Sequence, residues 1–146
     1  MDAHVAGHAH VHQRVDPAFG DQTEQFAEWI GPTRVIRAVR IRDEKSLEWL
    51  KKWEIGVAYA FDTWMPDKKG GTGETFNWEL AVKAKEYGKP LILAGGLTPK
   101  NVADAVKIVR PYAVDVSSGI ETFPGKKDYN KMKEFIANVR AADETA

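Results

Sequence analysis

From about residue 34 onward, apolar runs of strand length alternate with segments whose apolar residues recur at helical spacing. Val35-Ile36-Arg37-Ala38-Val39 is the first run, and between Asp43 and Trp53 the residues Leu47, Leu50 and Trp53 fall on one helix face. Val57 to Phe61 forms the second run, and the segment from Thr75 to Tyr87 carries Phe76, Leu80, Ala84 and Tyr87 on one side. Pro90 to Ala94 is the third. Thr98-Pro99 then offers an N-cap and a first-turn proline, followed by Val102, Ala105, Val106 and Val109 at i, i+3, i+4 and i+7. Tyr112 to Val116 is the fourth run, and a last helix from about Asp128 is expected to bury Met132, Phe135, Ile136 and Val139.

Near-continuous apolar strands separated by amphipathic helices predict an α/β fold, with a parallel sheet covered by helices. Flavodoxin-like winding and the (β/α)8 TIM barrel both satisfy the pattern. The barrel is preferred because the chemically suggestive residues cluster just after strand ends. A complete barrel takes about 200 residues at least, whereas this chain has 146 and holds four βα units plus a helix near Gln22 to Ile30. The expectation is a partial barrel over residues 18–146, truncated to roughly one half, with strands near 34–40, 56–62, 90–94 and 112–117.

Lys plus Arg balance Asp plus Glu at 21 each, so charge points to neither nucleic acid nor a membrane surface. No apolar run approaches the roughly 20 residues that span a bilayer, and the start lacks a basic-then-apolar leader pattern, which predicts a cytoplasmic protein. There is no cysteine, hence no disulfide, thiolate ligand or cysteine nucleophile. All four histidines, His4, His8, His10 and His12, lie in the first seventeen residues. A spacing of i, i+4 suits Zn²⁺ or Ni²⁺ on a helix, but Gly7 and the missing apolar period argue for a disordered lead-in over residues 1–17, and no metal site is expected.

Candidate chemistry gathers after the strands. The second run ends in Phe61-Asp62-Thr63, and three glycine-rich turns follow, with Gly70, Gly71 and Gly73, then Gly95 and Gly96, then Ser118 and Gly119. Glycines let the backbone approach an anion closely, and N–H groups at a strand-to-helix turn can be aimed at a phosphate. Asp62 is either a loop cap or a carboxylic acid that desolvation equips to donate a proton. Asp115 sits between Val114 and Val116, so alternation turns it opposite to both, as a buried structural anchor or a substrate-positioning group. Trp49, Trp53 and Trp78 are expected to pack, and Arg34, Arg37 and Arg40 to be solvated at strand ends.

Long blocks of the chain resemble the phosphoribosylanthranilate isomerase family. They are Asp62-Thr63, Gly70 through Trp78, Leu91 through Val102, and Arg110 through Glu121, in the family's order and spacing. The resemblance covers roughly residues 20 to 140. It implies a (β/α)8 barrel, of which this would be the C-terminal half, and the Amadori rearrangement of N-(5-phosphoribosyl)anthranilate to the aminoketose 1-(2-carboxyphenylamino)-1-deoxyribulose 5-phosphate in tryptophan biosynthesis. No cofactor or metal is implied. Asp62 matches the family's general acid, the three glycine sets match its phosphate cradle, and Asp115 is tilted toward the site.

The departures matter as much. The family's general base is a cysteine at the end of the first strand, in a Lys-Ile-Cys-Gly type motif, and this chain has neither. The region of the arginine that holds the anthranilate carboxylate is missing too. The family's Leu-His-Gly-Asp-Glu block is matched only by Ala18-Phe19-Gly20-Asp21-Gln22. A reading frame that starts inside a longer gene, or a frameshifted upstream half, would produce such a lead-in. The chain is therefore expected to be a catalytically impaired isomerase that needs a complementing N-terminal half, or a non-catalytic phosphate-binding half-barrel that forms a homodimer through exposed strand edges. Indole-glycerol-phosphate synthase and the tryptophan synthase α chain share the phosphate turns but lack the block from Asp62-Thr63 to Phe76-Asn77-Trp78.

Overall fold

Four of the apolar runs become the strands of one parallel sheet. The computed structural model describes residues 27–29, 31, 35–41, 43–52, 56–63 and 74–145. Within these, β1 (Ile36–Ile41), β2 (Ala58–Thr63), β3 (Leu91–Ala94) and β4 (Ala113–Val114) pair in the order β1-β2-β3-β4. Each parallel connection carries a helix back across the same face. These are α1 (Glu44–Glu48) with a 3-10 turn (Trp49–Lys52), α2 (Glu74–Ala84) with another (Lys85–Tyr87), and α3 (Val102–Val109). A 3-10 turn (Ser118–Ile120) and a short hairpin, β5 (Glu121–Phe123) with β6 (Lys126–Lys127), lead into α4 (Tyr129–Asp143). The His-rich lead-in and most of the helix expected near 22–30 lie outside the described residues, as do Arg34, Trp53 and the turn at Gly70 to Gly73; residues 27–29 are helical.

Register fixes the two faces of the sheet, because residues level with each other on neighbouring parallel strands point the same way. Val39 is level with Phe61, and Phe61 with Leu93. These three and Tyr59, Leu91 and Ile41 are buried against Leu47, Leu50, Leu80, Ala84, Val102 and Val109 from the helices. The other face carries Ile36, Ala38, Ala60, Ile92, Ala94 and Ala113, which stay half-buried, and Ala58, which is buried. One face of the sheet is thus the core, and the other is a small-residue apolar surface whose residues lie outside that core cluster. Trp78 packs into the core, as expected. Arg37 does not stay at a solvated strand end: it is level with Tyr59 and is itself buried on the helix side.

Helix ends follow local chemistry. The Asp128 carboxylate accepts from the backbone N–H groups of Asn130 and Lys131 at 2.9 and 3.1 Å, an N-cap that starts α4 where the sequence placed it. Helix α3 stops at Arg110, which adopts the left-handed conformation (φ 47°, ψ 57°). Lys85 reaches across to donate to the carbonyls of Val109 and Arg110, both at 3.1 Å.

Three expectations are corrected. Helix α3 begins at Val102 with Asn101 in the cap position, since Thr98 to Asn101 form a separate turn in which the Thr98 carbonyl accepts from Asn101 and Val102. The fourth strand is shorter than 112–117, because Gly95 and Gly96 turn away at φ 84° and 64° and leave nothing beyond Ala94 for it to pair with. On α4 only Phe135 and Ala142 are fully buried, while Met132 and Ile136 are exposed together with Tyr129. Those three fall at i, i+3 and i+7, an exposed stripe along the helix.

Candidate functional site

The carboxyl ends of the strands bring Asp62, the Gly95-Gly96 turn and the Ser117–Gly119 turn to one edge of the molecule. Asp62 lies near the end of β2, level with Ala94 on β3 and with Arg40 on β1, on the face opposite the core. Strand pairing therefore delivers the Arg40 guanidinium to the carboxylate, and Nη2 donates to Oδ2 at 3.1 Å. Arg40 was expected to be simply solvated; its register opposite Asp62 makes it the acid's partner instead. The two side chains are 38% and 47% exposed.

The two glycine-rich turns touch. A Cβ added at Gly119 would lie 1.8 Å from the Leu97 carbonyl oxygen and 2.9 Å from its carbon, so only glycine lets the backbones meet this closely. Gly95 and Gly96 hold left-handed backbone that other residues rarely adopt. Asn101 pins the first turn from within: its Oδ1 accepts from the Thr98 N–H at 2.8 Å and its Nδ2 donates to the Gly96 carbonyl at 3.0 Å. Asn138 of α4 donates to the Pro99 carbonyl at 2.7 Å. The second turn is held by Lys127, whose Nζ donates to the Ser117 carbonyl at 2.9 Å and to Glu121 Oε1 at 2.8 Å. That bond holds the Glu121 carboxyl below its ordinary range. With the folded value depressed, the pair's contribution is present above the unfolded-state value and is lost as pH falls through the folded one.

Asp115 is not the buried carboxylate that alternation implied. It follows β4, its N–H donates to the Leu93 carbonyl at 2.8 Å, and its side chain is exposed. Of the expected site residues, the structure gathers Asp62, Gly95, Gly96, Ser118 and Gly119 at one edge, with Asp115 beside the second turn; Gly70, Gly71 and Gly73 lie outside the described residues. Sequence reading missed Asn101, Asn138 and Lys127. Asn101 directly precedes the Val102-to-Val109 pattern, which is a cap signal; nothing local marked the other two. Among the described residues no group of three His, Cys, Asp or Glu side chains could hold a metal ion, and no helix is long and apolar enough to cross a membrane.

The family model for N-(5'-phosphoribosyl)anthranilate (PRA) isomerase matches residues 19–138. The N-(5'-phosphoribosyl)anthranilate isomerase of Geobacter metallireducens is 48% identical over 122 residues, which are 84% of this chain and 59% of that protein. The crystal structure of phosphoribosyl anthranilate isomerase from Thermotoga maritima superposes with a TM-score of 0.68 at 42% identity, covering 83% of this chain and 57% of that one. A second isomerase structure, in complex with reduced 1-(o-carboxyphenylamino)-1-deoxyribulose 5-phosphate, gives 0.65 at 38% identity and covers 83% and 54%. The expected barrel-type α/β fold is borne out, and the chain spans less than three-fifths of the length of these relatives.

Proposed function

The chain belongs to the phosphoribosylanthranilate isomerase family, and we propose that it carries the general-acid and phosphate-binding part of that family's site. In this reading Asp62 protonates the ribose ring oxygen as the C1–O bond breaks. The anilino nitrogen lone pair moves into a C1=N bond, and a base then removes the C2 proton to give the enol-amine that becomes the ketose. The phosphate sits against Gly95, Gly96, Ser118 and Gly119, with Asp115 beside them; Gly70, Gly71 and Gly73, which the family resemblance adds to the cradle, lie outside the described residues. A cytoplasmic location fits such a biosynthetic step. The observation that carries the proposal is the backbone contact of Gly119 on Leu97, which brings two anion-type turns together at the strand ends that also bear Asp62.

The base has no counterpart, because the chain has no cysteine. Losing a general base costs about 10² to 10⁴-fold. A tryptophan auxotroph lacking the isomerase is therefore expected not to grow on this chain alone. It should grow when a second chain carrying the family's first strands and cysteine motif is co-expressed. Full growth on this chain alone would overturn the division of roles.

A second reading, phosphate binding without turnover, is favoured by the 47% exposure of Asp62. It would be selected by failure to grow in both arms. Either reading leaves an apolar sheet face and the outer edges of β1 and β4 unpaired among the described residues. One solved relative consists of monomers generated from the dimeric phosphoribosylanthranilate isomerase of Thermotoga maritima. Here the covering partner is a complementing half-barrel or a second copy of this chain.

A further inference from the structure

The β5–β6 hairpin lies outside the parallel sheet, yet it sends one cation into the second turn. Glu121 and Lys127 are cross-strand partners in that hairpin. The Lys127 ammonium donates to Glu121 Oε1, to the Ser117 carbonyl and, at 3.4 Å, to Ser117 Oγ. Lys131 of α4 donates to the Glu121 carbonyl at 2.6 Å, which anchors the hairpin from the other side.

Peptide geometry turns that contact into a directional device. The Ser117 C=O and the Ser118 N–H belong to one planar trans unit and point in opposite directions, and no described peptide bond is cis. Holding the carbonyl toward Lys127 therefore aims the Ser118 N–H away from the hairpin. Without that hold, the peptide could rotate and present a carbonyl dipole where an anion needs a donor. We propose that Lys127 is a positioning residue of the phosphate site, fixing the Ser117–Ser118 peptide so that its N–H serves the anion. This rests on the reading of Ser118 and Gly119 as part of the phosphate cradle. Glu121 has a matching part: it holds the ammonium in place and offsets its charge, so Lys127 acts by orientation more than by attraction.

The test is titration of the full chain with inorganic phosphate and with ribose 5-phosphate, followed at the Ser118 and Gly119 amides, in the wild type, Lys127→Met, Lys127→Arg and Glu121→Gln. Lys127→Met is expected to weaken binding on the order of tenfold, the scale of one charge-assisted hydrogen bond. Lys127→Arg, which keeps a donor to Ser117, should recover most of it; a hairpin role limited to stability would move the melt and leave affinity alone. Glu121→Gln removes the charge that holds the ammonium on Ser117 and should lower affinity a few-fold, about two to five, although it leaves Lys127 with less opposing charge. Equal affinity in Lys127→Met and wild type overturns the proposal while the cradle stands. No response of the wild type overturns both. If Lys127→Met does not fold, Glu121→Gln decides: lowered affinity with an unchanged melt supports the proposal, and unchanged or raised affinity overturns it.

Discussion

Gly119→Ala is expected to lower the unfolding free energy by about 3 kcal/mol and to abolish any phosphate response. The new methyl group would fall 1.8 Å from the Leu97 carbonyl oxygen, a backbone atom that cannot swing aside as a flexible side chain does. One turn must move, and each is tied down. Asn101 and Asn138 hold the first, and Lys127 holds the second. Gly125→Ala is the control, since that glycine has positive φ but nothing within 4 Å of an added Cβ. It should cost only the left-handed strain, roughly 1 kcal/mol. Urea unfolding of the two variants checks the difference; equal midpoints would mean that the turns are not pressed together.

Asp62→Asn is expected to lower turnover of the complemented enzyme by about 10² to 10⁴-fold, because an amide cannot deliver the proton that opens the ring. Stability should hardly change. The side chain is half-exposed, and an exposed ion pair such as Arg40–Asp62 is worth at most about 1 kcal/mol. That contrast separates a chemical role from a capping one. Steady-state kinetics on the reconstituted pair, beside a melt of the variant, measures both. Turnover indifferent to the substitution would leave Asp62 as a strand-end residue paired with Arg40 and nothing more.

The alternation of apolar runs and helical spacings made the order of β1 to β4 and their helices legible, because burial on one face forces that period. Strand ends were harder. The fourth strand reads as 112–117, but the sheet stops where β3 stops, and Gly95 decides that from another segment. The same reach across the chain explains Asp115, which alternation buried but which lies past the end of the shortened β4 and is exposed. Met132 and Ile136 carry the right spacing for a core, yet among the described residues nothing stands on that side of α4 to receive them. The glycines of the turns were legible one by one; that Gly119 rests on Leu97 was not, since contact between turns 22 residues apart follows only from the register of β3 with β4. Lys127 and Asn138 grip backbone carbonyls, and no pattern in the sequence marks a side chain whose partner is a main-chain atom.

The central claim is that this chain assembles a phosphate site from its last turns. Amide chemical shifts during titration of the purified chain with ribose 5-phosphate test it most directly. Saturable shifts should concentrate at Gly95, Gly96, Ser118 and Gly119, with a dissociation constant in the millimolar to micromolar range, about −4 to −8 kcal/mol. Shifts that stay flat at those four amides, or that appear only elsewhere on the chain, would contradict it.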